Sequence, residues 1–116
     1  MKTNIQMMEL VKELRKHSAS DGSKIWHTVA SYLERPTRKR SVVNIHKINR
    51  YTKENEVVIV PGKVLGDGEI DHKLTVAAFN FSSSAKDKIL SSKGNVYSIY
   101  ELMKNKPKGS RIKIIC

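Results

Sequence analysis

The sequence predicts an α/β fold: a small single domain in which helices alternate with short strands. Three observations predict it. The chain has 116 residues, the usual size of one domain. Apolar residues make up 39% of it, enough for a modest core and too many for a chain that stays disordered by composition. Along the chain, apolar residues switch repeatedly between helical spacing and short β-branched runs.

The elements follow in order. Asn4 or Thr3 can cap a first helix running to about His17, with Met7, Leu10, Val11 and Leu14 in one stripe. Ser18–Gly22 reads as a turn. Ser23 or Asp21 then caps a second helix carrying Trp26, Val29, Ala30 and Leu33 on one face. It should stop near Glu34, ahead of Pro36. A short polar connection suggests that the two helices pair antiparallel.

The segment 35–41, Arg-Pro-Thr-Arg-Lys-Arg-Ser, reads as an extended basic loop. Val42–Ile48 is a short extended or mixed stretch, and Asn49–Thr52 one helical turn. Glu56–Val60 is β-branched and predicts a buried strand. Pro61-Gly62 is expected to turn the chain, Lys63–Leu65 to form another short strand, and Asp67-Gly68 to begin a hairpin or close return into Lys73–Phe79. Ser82–Ser84 supplies caps for a helix to about Ser92, ended by Gly94. Asn95–Tyr97 is a short strand. Ser98 to Glu101 has capping-box spacing and opens a short helix to Met103 or Lys104. Pro107-Lys108-Gly109 ends it, and Arg111–Ile115 alternates basic and apolar residues as a last strand.

Charge narrows the function. With 22 Lys+Arg against 11 Asp+Glu, the formal charge is +11. It is segregated. Residues 1–34 carry +1, residues 35–53 carry +7 with no acid, residues 54–72 carry −4, and residues 73–116 carry +7. A surface serving solubility alone would mix its signs. Blocks of one sign are what phosphate binding requires, and the Arg fork suits two phosphate oxygens at once. No stretch reaches the roughly 18 apolar residues of a membrane span, and the N-terminus lacks the apolar run of a secretory signal. Membrane binding through a basic amphipathic helix fits poorly, because Glu9 and Glu13 share the first helix with Lys12, Arg15 and Lys16. The single cysteine, Cys116, has no partner for a disulfide or a zinc site, and no role follows for it. The expectation is a cytoplasmic protein.

The sequence offers few candidates for catalysis. The glycines at 62, 66 and 68 lack the Lys-Ser/Thr pair of a phosphate loop, so they read as turn residues. The histidines at 17, 27, 46 and 72 have no zinc spacing, and no serine sits in a nucleophile elbow. Asp67, Glu69 and Asp71 would share one face of an extended strand and could hold a metal for phosphodiester cleavage. A metal-dependent nuclease on these three is the alternative to simple binding; an acidic loop in water is the plainer reading. Phe79 and Phe81 weakly resemble base-stacking residues of an RNA-recognition strand, but core packing explains them better. A basic adaptor for an acidic protein is a third possibility.

Two long runs have a family likeness. One is Ile48-Asn49-Arg50-Tyr51-Thr52-Lys53 followed by Val57–Gly66, and the other is Leu74–Ser82 leading into Ala85-Lys86-Asp87-Lys88-Ile89. With Pro107-Lys108-Gly109 before the last strand, the chain resembles the archaeal-type large-subunit ribosomal protein family eighteen-e, related to bacterial large-subunit protein fifteen. The resemblance covers nearly the whole chain. It implies a small α/β domain of irregular β-β-α units over residues 1–116, with a helix pair at 1–34, a basic RNA-binding arm at 35–53 and an α/β core at 54–116. It implies binding to large-subunit ribosomal RNA beside neighbouring ribosomal proteins, with no catalysis, cofactor, metal or small-molecule substrate. Matching basic positions would contact RNA: Arg35, Arg38, Lys39, Arg40, Lys47, Arg50, Lys53, Lys63, Lys108 and Arg111.

Overall fold

A computed structural model describes residues 5–35, 41–106, 109 and 111–116. The expected caps Asn4 and Thr3, the core of the basic loop and Pro107-Lys108 lie outside the described residues. The element order is α1 (Ile5–Asp21), α2 (Lys24–Leu33), β1 (Ser41–Asn44), α3 (Ile45–Tyr51), β2 (Val57–Leu65), β3 (Thr75–Phe81), α4 (Ser83–Ser91), β4 (Asn95–Ser98), α5 (Ile99–Asn105) and β5 (Ile112–Ile114). The α/β expectation holds.

The five strands form one parallel sheet in the order β1-β2-β3-β4, with β5 also on β2. Alternation along the strands divides the core. Val58, Val60, Val64, Val76 and Ala78 face one layer, with Ile45 and Ile48 of α3 and Ala85 and Ile89 of α4. Ile59 and Ala77 face the other, under α1, α2 and α5. The sheet is therefore covered on both faces, as parallel sheets require. The predicted stripes are buried: Met7, Val11 and Leu14 on α1, with Leu10 half-buried beside them, and Trp26, Val29, Ala30 and Leu33 on α2. Arg15 meets both His27 and Glu34 across the pair, and Ser18 Oγ donates to Ser23 O at 2.7 Å. Those contacts make α1 and α2 antiparallel.

Four expectations need correction. First, α1 continues through the presumed turn to Asp21, and the chain reverses at Gly22, whose φ is +75° and whose N–H donates to Ser18 O at 2.8 Å. His17 therefore lies inside the helix, edge-on to Trp26.

Second, Pro61-Gly62 does not turn the chain; β2 runs straight through it. Proline has no N–H to give a ladder. Here none is needed. On one edge β5 ends at Ile59 and β1 begins at Gly62, and on the other the register shifts between Val60 and Lys63. Pro61 sits in the gap on both sides, at a bulge.

Third, β2 and β3 are parallel, so residues 66–74 form a crossover rather than a hairpin. Ile70 and Leu74 anchor it in the α3/α4 layer. Fourth, the left-handed residue after α4 is Lys93, with φ 66°, not Gly94. Gly94 is needed for space: a Cβ there would lie 2.5 Å from Leu74 O and 3.0 Å from Ile89 O.

The α5 capping box forms as expected. Ser98 Oγ accepts from Glu101 N at 3.1 Å, and Glu101 Oε1 accepts from Ser98 N at 2.9 Å. Phe79 and Phe81 are half-buried against the two different core layers, so they are packing residues rather than one stacking face.

Candidate nucleic-acid interface

The +7 stretch is built into the fold at both ends. At its start, Arg35 follows the α2 C-cap, and its guanidinium lies 4.4 Å from the Tyr32 ring centroid. Where the loop ends, Ser41 enters the sheet beside Gly62, and the next pair in the register is Val42 with Lys63. This register places exposed Lys63 at the foot of the basic loop. Arg38, Lys39 and Arg40 lie outside the described residues, as does Lys108.

The second half of the stretch is helical because Ile45, Ile48 and Thr52 recur at helical spacing and are buried. Thr52 is held by its hydroxyl, which donates to Ile48 O at 2.7 Å and sits 2.7 Å from His72 Nε2. Burying that stripe turns Lys47, Arg50 and Tyr51 outward. Arg50 lies 5.8 Å from the Tyr51 ring centroid. Lys47 Nζ donates to Cys116 O at 2.6 Å. Lys53 is exposed just past the helix, its backbone N–H donating to Glu56 Oε1 at 2.5 Å.

Arg111, with φ 59°, precedes β5. With Lys106 and Lys113 it lines an open groove of about 660 Å³, whose other walls are Asn55, Glu56, Val57 and Ile112. Lys113 Nζ donates to Tyr51 O at 2.9 Å and lies 3.5 Å from Glu56 Oε1. Glu56 is held below the usual carboxylate range, chiefly by the Lys53 N–H and then by Lys113.

Lys113 also lines a second groove of about 430 Å³ with Lys47, Tyr51, Ile114, Ile115 and Cys116. Lys47 in turn lines a cleft of about 400 Å³ with Val42, Val43, Asn44, His46, Asp67 and Gly68. Shared walls thus join β1, α3 and β5 into one surface that carries Lys47, Lys106, Arg111 and Lys113, with Glu56 and Asp67 among them. Lys106 and Lys113 were absent from the sequence-derived set. The alternation of Arg111-Ile112-Lys113-Ile114 was the available signal, since it puts Lys113 on the solvent side of a strand whose isoleucines are half-buried.

The acidic trio does not assemble. Its segment is an irregular crossover, so the shared face of an extended strand is lost. Glu69 is 3.5 Å from Lys88 Nζ. Asp71 accepts from His72 Nδ1 at 2.9 Å, and that hydrogen bond is the main reason its carboxyl sits below the usual range. Asp67 lies in the cleft with Lys47, and its carbonyl accepts from His46 N at 3.1 Å. Among the described residues, no three His, Cys, Asp or Glu side chains stand close enough to share a metal.

Not every lysine belongs to this surface. Lys88 Nζ donates to Gly66 O at 2.9 Å and Gly68 O at 2.7 Å, so its charge is spent on fastening the crossover to α4.

Comparison with known proteins adds a family. The profile described as "Ribosomal protein 60S L18 and 50S L18e" matches residues 2–115. The chain is 47% identical over 114 residues to the large ribosomal subunit protein eL18 of Methanothermobacter thermautotrophicus, covering 98% of this chain and 94% of that protein. It is 46% identical over 115 residues to the eL18 of Sulfolobus acidocaldarius, at 97% and 94% coverage. To the eL18 of Methanoregula boonei it is 45% identical over 114 residues, at 98% and 94% coverage.

Proposed function

The chain belongs to the family of ribosomal proteins 60S L18 and 50S L18e, and from that premise we propose which of its residues meet RNA. It is a structural constituent of the large ribosomal subunit in the cytoplasm, bound to ribosomal RNA and to neighbouring ribosomal proteins, and not an enzyme. Within a single domain spanning 1–116, residues 35–53 are the RNA-facing arm, anchored by β1 and α3 between the helix pair and the rest of the sheet. Arg35, Arg38, Lys39, Arg40, Lys47, Arg50, Lys53, Lys63, Lys108 and Arg111 contact phosphates, joined by Lys106 and Lys113.

The observation that carries this reading is the chain of shared walls linking Val42, Lys47, Tyr51, Lys113 and Arg111. It turns sequence-distant cations into one surface. Such a surface neutralises phosphates from converging RNA strands and so favours the compact RNA fold. Phosphate contacts position a protein without reading sequence. Folded RNA is recognised by shape, phosphates and 2′-hydroxyls.

The test is a salt titration of binding to protein-free large-subunit ribosomal RNA. If about six phosphates are neutralised, the log–log slope is about −4 to −5. Replacing Arg38, Lys39 and Arg40 with Ala should flatten it by about 2 to 3. An unchanged slope would remove the arm from the interface.

A further inference from the structure

We infer that the groove between α3 and β5 seats one unstacked nucleotide of the RNA, with its base against Tyr51 and its phosphate between Lys47 and Lys113. This deepens the proposed function and rests on it, because it assigns a base contact where that reading assigns only phosphate contacts.

Three features carry the inference. Tyr51 leaves 55% of its surface exposed, although the chain has only four tyrosines, two phenylalanines and one tryptophan. A large aromatic ring left in water beside fixed cations is the combination that proteins use to hold unpaired bases. The other exposed tyrosine among the described residues, Tyr100, has Lys104 Nζ 5.2 Å from its ring centroid, but the groove it lines is walled by Glu9 and Glu13, whose charges oppose a phosphate. Of these two tyrosines, Tyr51 is the one whose groove is lined by cations and by no carboxylate side chain.

The cations are positioned in advance. Lys47 and Tyr51 stand four residues apart on α3 and so project from one face. Lys47 is tied to Cys116 O at 2.6 Å and Lys113 to Tyr51 O at 2.9 Å. An ammonium has three donors, so Lys47 keeps two to offer an anion, and Lys113, which also faces Glu56 Oε1 at 3.5 Å, keeps one. The ties hold both side chains at the groove before any ligand arrives, which lowers the ordering cost of binding.

The groove also fits the shape of a nucleotide. Ile114 and Ile115 give it an apolar wall, and no Asp or Glu side chain lines it. Its volume of about 430 Å³ is in the range of small-ligand clefts. A phosphate alone has no use for an apolar wall or an aromatic ring. An extruded base has a use for both.

The full chain and its Y51F, Y51L and K47Q/K113Q variants would be titrated with protein-free large-subunit ribosomal RNA across a salt series. Circular dichroism would confirm that each variant is folded, as expected for exposed positions. Y51F should bind within about twofold of the parent. Y51L should lose about 5- to 100-fold at every salt concentration, with the log–log slope unchanged, because stacking is not ionic. K47Q/K113Q should flatten the slope by about 1.5. In parallel, RNA carrying 4-thiouridine would be photo-crosslinked to the parent chain, and a base should attach within the peptide bearing Tyr51. Parental affinity in Y51L, or no base crosslink there, overturns the nucleotide seat while leaving the phosphate reading intact. A parent chain with no affinity for the RNA overturns both.

Discussion

Replacing Lys88 with Met separates a structural cation from the RNA-facing ones. The ammonium donates to Gly66 O at 2.9 Å and Gly68 O at 2.7 Å, and lies 3.5 Å from Glu69 Oε1. Met keeps the aliphatic stem and deletes only the donors. A hydrogen bond from a charged group contributes about 1.5–3 kcal/mol, so two would set an upper range of about 3–6 kcal/mol. The side chain is 34% exposed, so water reaches part of the site and rehydrates the freed carbonyls. The expected loss is therefore about 2–3 kcal/mol. Urea unfolding followed by the fluorescence of fully buried Trp26 would read it. At about 2 kcal/mol per molar urea, the midpoint should fall by about 1–1.5 M with the slope of the transition unchanged. RNA affinity of the folded variant should keep its salt dependence. Lys63→Met is the counterpart. Lys63 is exposed, and its ammonium makes no hydrogen bond or ion pair among the described residues. Its loss should leave the urea midpoint in place and flatten the salt slope by about 0.7–0.9. A midpoint unmoved in the Lys88 variant would mean that buried Ile70 and Leu74 hold the crossover without it. A Lys63 variant that unfolds early and keeps its slope would reverse the assignment.

Three further outcomes follow from local geometry. Gly94→Ala should cost about 1–3 kcal/mol by thermal melting, because the new methyl meets two backbone carbonyls that cannot swing aside; an unchanged melting temperature would show that α4 shifts freely against β3. Ser98→Ala should cost about 1 kcal/mol through the lost cap on α5, and recovery with Ser98→Asp would tie the loss to the side-chain acceptor rather than to packing. Glu56, Asp71 and Glu101 all titrate below the usual carboxylate range in the folded chain, through bonds to Lys53 N–H, His72 and Ser98 respectively. Their contribution is present above the unfolded carboxylate range and is lost as pH falls through the lowered folded values. The melting temperature should accordingly decline below about pH 4.5, and an E56Q/D71N/E101Q variant should decline less steeply; parallel acid limbs would refute that origin.

What could be read from the sequence was local, and what escaped it depended on partners. The α1 and α2 stripes were legible because helical spacing declares a buried face without naming what covers it. The α5 capping box was legible for the same reason, since Ser98 and Glu101 satisfy each other. Pro61 misled because its effect depends on its neighbours: in a central strand it breaks the ladder, and here two partner strands leave the gap it needs. The parallel return from β2 to β3 escaped because Asp67-Gly68 suggests a tight turn, while the burial of Ile70 and Leu74 is decided by α3 and α4. The interface divides likewise. The charge run announced Lys47 and Arg50. The groove around Tyr51 is created by Lys113 and Ile114, some sixty positions away, and no local pattern links them. Lys88 looked like one more cation until two carbonyls claimed it.

The arrangement of β2 also sets an order of events during synthesis. One edge of this strand takes β1 along residues 62–65 and β5 along residues 57–59. Among the described strands β5 is the last in chain order, so half of that edge stays uncovered until it emerges. The Tyr51 groove has no far wall before then. A chain cut short upstream of Ile112 would keep most of its hydrophobic layers, yet offer an open strand to other nascent chains and an incomplete seat to RNA.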